Sequence, residues 1–441
     1  MNIPANSYFR HTNFWHIIYR YMVMTLTLIS LNIYPIHSQV SEVNYDESKV
    51  SPYSLPSILR SQGGIEIHNV SDWEEFRRPE IINSFVEHVY GRVPGEIDTM
   101  LINITEQGTY LNGAANRMQV TLTFVKDDKK HSADLLIYLP SNKEKSPVFF
   151  GYNFQGNHSI VSDKEVFITK SWVPVNKEIG VETNIAVEQS RGTMSRRWPL
   201  EMIIKEGYGV VTLYRGDIDP DKDDFSDGVH PLFYHKGQQK PQLDEWGTIA
   251  AWSWGLSQVM NYLETVDKID SKKVIVVGHS RLGKVSLWSA AIDKRFAATI
   301  SNNSGAMGAA LSRRNFGETV EVINTSFPHW FRGSFKKYSK KEYILPIDQH
   351  MLISLIAPRP VYVASATEDL WADPRGEFLS AKEASVVYNL YDIQGLSSTQ
   401  MPQPDSPIIG NVGYHLRTGK HDIIKYDWEQ YIKFAKHNNI E

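Results

Sequence analysis

The stretch KVIVVGHSRLGKVSLW at residues 273–288 constrains this chain more than any other. VIVV (274–277) is a β-branched run, the composition of a strand buried on both faces of a sheet. LGKVSLWSAAI (282–292) sets Leu282, Val285, Trp288 and Ser289 or Ile292 near helical spacing. Ser280 stands on the junction. Its hydroxyl is expected at the carboxyl end of the strand, beside the free amides of a helix N-terminus. A serine in that place serves either as a helix N-cap or as the nucleophile of a sharp strand–helix elbow. The elbow pattern G-x-S-x-G wants glycine two residues after the serine. Here Leu282 holds that position and Gly283 follows one later.

The rest of the chain alternates strand and helix signals. MQVTLTFV (118–125) and ADLLIYLP (133–140) read as neighbouring strands joined by the turn-like KDDKKHS. PVFFGYNF (147–154), GVVTLYRG (209–216), AATISNNSG (297–305), RPVYVASATED (359–369) and SVVYNLYD (385–392) read as further strands. WGTIAAWSWGLSQVMNYLETV (246–266) and DWEQYIKFAKH (427–437) read as helices. Such alternation predicts an α/β fold with a mostly parallel sheet covered on both faces. Three long polar stretches (155–200, 217–243 and 393–420) interrupt it and are expected around the carboxyl ends of the strands, where ligands bind.

Composition narrows the function classes. A formal charge of −4 over 441 residues gives no reason to expect nucleic acid or an anionic membrane as partner. The absence of cysteine excludes disulfides, thiolate metal sites and a cysteine nucleophile. With 11 Trp and 22 Tyr the chain has flat faces that suit both cores and sugar clefts. DIDPDKDDFSDG (217–228) has the look of a calcium loop, but Lys222 stands where glycine is needed and Gly228 where glutamate is needed. It reads as a solvated acidic loop, and no metal is assigned. Residues 22–39 follow Arg20 with an apolar run ending in small or polar residues, the pattern of a secretory signal, and translation starting at Met22 or Met24 would suit it. The expected organisation is a targeting segment over 1–39, a linker or wrapping arm over 40–60 and a single catalytic domain over 61–441. A secreted or periplasmic monomer with no membrane span in its mature form is expected.

A serine nucleophile needs a base, and the base needs an orienting acid. In elbow hydrolases these follow in the order Ser, Asp or Glu, His. Glu368 and Asp369 follow a late strand, 89 residues or nearly so after Ser280, and the spacing from the strand end favours Asp369. GYHLRTGKHDIIKYDW (413–428) offers His415 and His421 before the last helix, and His421 is the better placed.

GHSRLGK (278–284) resembles the G-x-S-R-x-G-K signature of the glucuronoyl esterases, carbohydrate esterase family 15, whose glycine is displaced in the same way. GYNFQGNH (151–158), SNNSGAMGAALSRRNFGETV (301–320), EDLWADPRGEF (368–378) and GKHD (419–422) resemble further segments of its bacterial members. The resemblance runs from about residue 60 to the end. It implies an α/β-hydrolase three-layer sandwich, no cofactor, and cleavage of esters joining glucuronic acid groups of xylan to lignin alcohols. By position, Ser280 resembles the nucleophile, His421 the base and Arg281 the oxyanion stabiliser, while Lys284, Glu318 and Trp371 resemble residues that hold the glucuronate. Asn303 departs from the pattern, because many members carry a catalytic glutamate there; others use an acid after the later strand, which returns the choice to Asp369. Arg313 and Arg314 stay open between cleft lining and structural pairing. The rival readings are an esterase or deacetylase for another ester, such as acetylated xylan, and a carbohydrate-binding relative without catalysis.

Overall fold

The structure, a computed structural model, describes residues 43–441; the targeting segment expected over 1–39 lies outside them. Nine strands form one sheet: β1 (Thr99–Tyr110), β2 (Ala115–Lys126), β3 (Lys129–Pro140), β4 (Ser146–Asn153), β5 (Gly209–Tyr214), β6 (Ile269–His279), β7 (Ala298–Asn302), β8 (Val361–Ala366) and β9 (Val412–Arg417). Their spatial order is β1-β2-β3-β5-β4-β6-β7-β8-β9. The first three strands and the β3–β5 pair run antiparallel, and every pair from β5 to β9 is parallel.

Alternation along the strands explains the layers. Val274 and Val276 of β6 join one apolar cluster, while Ile275 and Val277 join the cluster on the opposite face. The first face is covered by a helical run over 70–90 and by helices Thr248–Leu263, Arg281–Ile292 and Pro374–Leu390. The second is covered by Leu200–Lys205 and the last helix, Lys425–His437, through Trp428, Tyr431 and Phe434. With both faces buried, a strand such as β4 (SPVFFGYN) is buried at every position. The result is an α/β-hydrolase three-layer sandwich. Among the described residues no helix is long and apolar enough to cross a membrane.

Three sequence expectations need correction. SVVYNLYD is not a strand: residues 385–390 complete helix Pro374–Leu390. Its β-branched pair, Val386 and Val387, was the misleading signal, since tertiary packing of Phe378, Ala381, Ala384, Val387 and Tyr388 at helical spacing overrides propensity. The polar stretch 393–420 contains β9, whose six residues are all buried. The acidic loop is not uniformly solvated, because Asp217, Asp219 and the side chain of Asp221 are buried while Asp223 and Asp224 are exposed. Asp219 Oδ2 accepts there from the Thr248 hydroxyl at 2.6 Å. Residues 43–60, by contrast, lie along the domain through contacts such as Arg77 Nε to Ile58 O at 2.8 Å and His350 Nε2 to Pro56 O at 2.9 Å.

The elbow is fixed by close approach. Ser280 has φ +58° and ψ −132°, a backbone state that ordinary residues avoid. Its N–H donates to Asn302 O and its C=O accepts from Gly283 N, both at 2.8 Å. A Cβ on Gly278 would lie 1.9 Å from the Leu282 carbonyl oxygen, and one on Gly283 would lie 2.8 Å from Ser304 Cβ. The glycine three residues after the serine therefore does the packing work that the usual pattern gives to the second. Backbone cannot yield as a side chain can, so Gly278→Ala should destabilise the protein by about 3 kcal/mol or more, the upper range of overpacking. Urea denaturation with both activity and far-UV circular dichroism as readouts will check this, and a midpoint within error of the wild type would refute it.

Candidate active site

Four loops at the carboxyl ends of β6, β7, β8 and β9 converge on one cleft of about 370 Å³. Ser280, Arg281, Lys284, Asn303, Glu318, Phe327, Trp330, Asp369, Trp371 and His421 line it. Ser280, Arg281, Lys284, Glu318, Asp369, Trp371 and His421, the residues preferred from the sequence, thus open on the same space. His415 does not. It is fully buried, with Nε2 bonded to Asp427 at 2.9 Å and Nδ1 to the Tyr362 hydroxyl at 3.1 Å.

His421 Nδ1 meets Asp369 Oδ2 at 2.5 Å, with the carboxylate buried and the ring 38% exposed. The same oxygen accepts from Asn303 Nδ2 at 2.7 Å. Asn303 sits directly after β7 in a left-handed turn (φ +48°), a conformation asparagine tolerates well. Glu368 is exposed and joins the site only through its backbone N–H, which donates to Gly419 O at 2.9 Å. With Gly419 N on Thr367 Oγ1 at 3.0 Å, this ties the acid loop to the histidine loop. Arg417 anchors the histidine loop from below, donating to Lys420 O at 2.8 Å and Asp422 O at 3.2 Å. The His421 ring packs on His279, centroids 4.6 Å apart. Burial, then the neighbouring His421 and Arg197, hold the His279 imidazole well below its ordinary pKa, so His279 is neutral and adds no charge beside His421. Ser280 and His421 line the cleft without a hydrogen bond between them.

The opposite wall is cationic and aromatic. Arg281 lies over the rings of Phe327 (4.9 Å) and Trp330 (4.8 Å), which themselves stack at 3.9 Å. Its Nη1 bonds Asp221, a residue the sequence reading had placed in solvent. Trp371 is 37% exposed and held in place by its carbonyl, which accepts from Glu318 N at 2.8 Å. Arg313 and Arg314 are structural pairs: Arg313 bonds Asp348 at 3.1 Å, and Arg314 bonds Asp373 at 2.8 Å and Glu47 at 2.6 Å.

Lys284 is 2% exposed, and its ammonium donates to Ser304 O (2.7 Å), Ala306 O (2.5 Å) and Glu318 Oε2 (2.7 Å). All three protons are committed to the fold. Behind the same turn lies Glu377, which sequence reasoning passed over although its stretch had been noted. It accepts from Ser304 N at 2.8 Å, Gly305 N at 3.0 Å and the Ser365 hydroxyl at 2.6 Å. Burial nevertheless pushes its carboxyl up to about 8.

Comparison with known proteins places this geometry. A family model described as glucuronyl esterase, fungi, matches residues 183–392. The carbohydrate esterase MZ0003, from an unknown prokaryotic organism, is 50% identical over 404 residues, covering 91% of this chain and 94% of its own. The solved structure of a promiscuous CE15 esterase from a marine bacterial metagenome is 51% identical with a TM-score of 0.85, covering 90% of this chain and all of that one. A glucuronoyl esterase from Solibacter usitatus is 41% identical with a TM-score of 0.84, covering 89% of this chain and 99% of its own.

Because Lys284 is wholly enclosed, removing it strands Glu318 and two carbonyls. Lys284→Ala should cost about 3–5 kcal/mol of stability, as loss of one partner of a buried pair does. Lys284→Met combined with Glu318→Gln, which leaves no unmatched charge, should recover much of that loss. Thermal unfolding of the single and double variants checks it; a double variant less stable than Lys284→Ala would overturn it.

Proposed function

This chain belongs to the glucuronoyl esterases, carbohydrate esterase family 15, and we propose that it hydrolyses 4-O-methyl-glucuronoyl esters by acyl transfer through Ser280. The observation that carries the reading is the His421–Asp369 bond inside the cleft that Ser280 and Arg281 also line. A serine hydroxyl attacks an ester only if its proton is taken as the bond forms. His421 Nε2 takes it, and Asp369 on Nδ1 fixes the tautomer and stabilises the imidazolium. The tetrahedral intermediate puts negative charge on the former carbonyl oxygen beside the start of helix Arg281–Ile292. The free amides of that N-terminus and the Arg281 guanidinium are the donors at hand. Collapse expels the alcohol, which takes the proton from His421. Water, activated by the same histidine, then releases the uronic acid and restores Ser280.

The glucuronate ring needs partners that a simple ester does not. Trp371 offers an exposed flat face, and Glu318, fixed by Lys284, retains acceptor capacity for ring hydroxyls. Lys284 then acts on the substrate by holding Glu318 and the 304–306 turn. An ester of glucuronoxylan with lignin alcohols is the expected natural substrate. The wall of Phe327, Trp330 and Arg281 supports the uronate reading over the acetyl-xylan one, because an acetyl group gives so large a cleft little to hold. Such a polymer lies outside the cell, which supports export, with 1–39 as the targeting segment and one catalytic domain from about residue 61.

Two measurements test the reading. The purified protein should hydrolyse methyl glucuronate esters with a higher kcat/KM than a small acetyl ester, and Ser280→Ala should lose at least ~10³-fold in turnover while staying folded. Preference for the acetyl ester, or near-wild-type turnover in Ser280→Ala, would sink it. The acid assignment has its own test. Asp369→Asn should lower kcat by roughly 10³–10⁴-fold through the wrong histidine tautomer. Asn303→Ala, which removes only one neutral donor from Asp369, should lose far less, about tenfold or under. If Asn303→Ala proves the more damaging at saturating substrate, Asp369 is not the triad acid.

A further inference from the structure

Asp221 lies 59 residues before Ser280, in the acidic loop whose first half turns inward. Its side chain is 5% exposed, and four groups meet it, three by hydrogen bonds and Arg215 as an ion pair. Arg215 Nη1 and Arg281 Nη1 share Oδ2; His329 Nε2 and Trp330 Nε1 share Oδ1 at 2.9 and 2.8 Å. Burial alone would push this carboxyl up, but the two guanidiniums and His329 hold it well below the usual carboxylate range. It is therefore a fixed negative charge beneath the cationic wall of the cleft. Two of its four partners, Arg281 and Trp330, line that cleft and stack on each other.

Few other contacts define the guanidinium of Arg281. Its hydrogen bonds to protein among the described residues run only through Nη1 to Asp221, and its Nε is buried without an acceptor. The flat rings of Phe327 and Trp330 set its plane but not its position within that plane. Arg215, with its guanidinium carbon 5.4 Å from both the Phe154 and Trp252 rings, brings a second like charge to the same carboxylate. Without the anion, two buried guanidiniums would repel each other, and Arg281 is the one with an exit, at 25% exposure against 5%.

We propose that Asp221 is a positioning residue for catalysis, holding the Arg281 guanidinium and the Trp330 indole as one unit against the cleft so that the arginine meets the developing oxyanion without reorganising. The inference rests on the esterase reading and on Arg281 as the oxyanion donor. Preorganisation of a donor counts because no energy is then spent turning it toward the charge during the reaction. Asp221 touches neither the serine nor the histidine, so its whole effect passes through Arg281 and its neighbour.

The experiment is a double-mutant cycle between Asp221→Asn and Arg281→Ala, with kcat and KM measured on a methyl glucuronate ester and on a small acetyl ester. Asp221→Asn should lower kcat about 10- to 100-fold on both esters with KM nearly unchanged, less than the ~10²–10³ typical of deleting an oxyanion donor. In the Arg281→Ala background the same change should lower kcat by less than about twofold, because the group it positions is gone. A structural defect would instead reduce both backgrounds alike, and that additive result overturns the proposal, as does an unchanged kcat in Asp221→Asn. Should Asp221→Asn not fold, Asp221→Asn/Arg215→Gln, which removes the more deeply buried of the two guanidiniums that would otherwise repel each other, takes its place in the cycle with the same expectation. Failure of both to fold would put Asp221 in the core rather than in the site and also refute the proposal. Wild-type protein without esterase activity, or Arg281→Ala with full activity, would strike the underlying esterase reading instead and is read separately.

Discussion

The backbone turn at Ser280 is the constraint on which the rest depends. A parallel strand buried over its last six residues has to hand over to a helix within one residue, and that residue is forced to φ +58°. The cost of such a state, of order 1–3 kcal/mol, is met only where the surroundings over-determine it. Here they do so by contact: strand end and first helical turn approach so closely at Gly278 that no side chain fits, and Gly283 lets the helix lie on the Ser301–Ser304 turn. That turn is the same one whose Asn303 reaches Asp369 and whose Ser304 and Ala306 carbonyls receive Lys284. The elbow thus fixes the serine and, through the helix packed on it, the loop behind the acid.

The cleft is built from buried charges that each meet an opposite charge. Lys284 answers Glu318, Arg314 answers Asp373, and Asp221 answers both Arg215 and Arg281. Buried pairs of this kind are weak sources of stability, since desolvation consumes most of the Coulombic gain. Their value lies in direction: each anion fixes where its cationic partner sits against the cleft. That explains a wall with so many ionic groups and so little freedom, with Trp371 as its chief exposed flat face.

Much of this was legible from residues alone, and the limits have physical causes. The strand–serine–helix junction, the parallel sheet and the order Ser280, Asp369, His421 are local or sequential patterns, and they led to residues that share one cleft. What sequence could not give is pairing across loops. Asp221 sits in a run of acids that looks hydrophilic, and nothing local distinguishes it from Asp223 or Asp224, which face water. Only the arrival of Arg215, Arg281, His329 and Trp330 from three other segments makes it a buried anion. Glu377 was hidden in the same way, inside a helix whose Val386–Val387 pair read as a strand. The strand β9 was hidden by short length and by His415 and Arg417, polar residues that are buried because Asp427 meets both.

Asn303 puts a neutral amide, rather than a carboxylate, beside Asp369. A carboxylate at that position would stand beside Asp369, and two like charges in hydrogen-bond range cannot both ionise easily. One of them would take up a proton, as the more deeply buried Glu377 is already inclined to do: burial first, and then Asp369 among its neighbours, push it up to about 8. The amide avoids that competition. Its Nδ2 donates to the same oxygen that receives His421 Nδ1, so it helps to orient the Asp369 carboxylate toward the ring. One carboxylate after β8, held by an amide after β7, is therefore the anionic partner of the His421 ring.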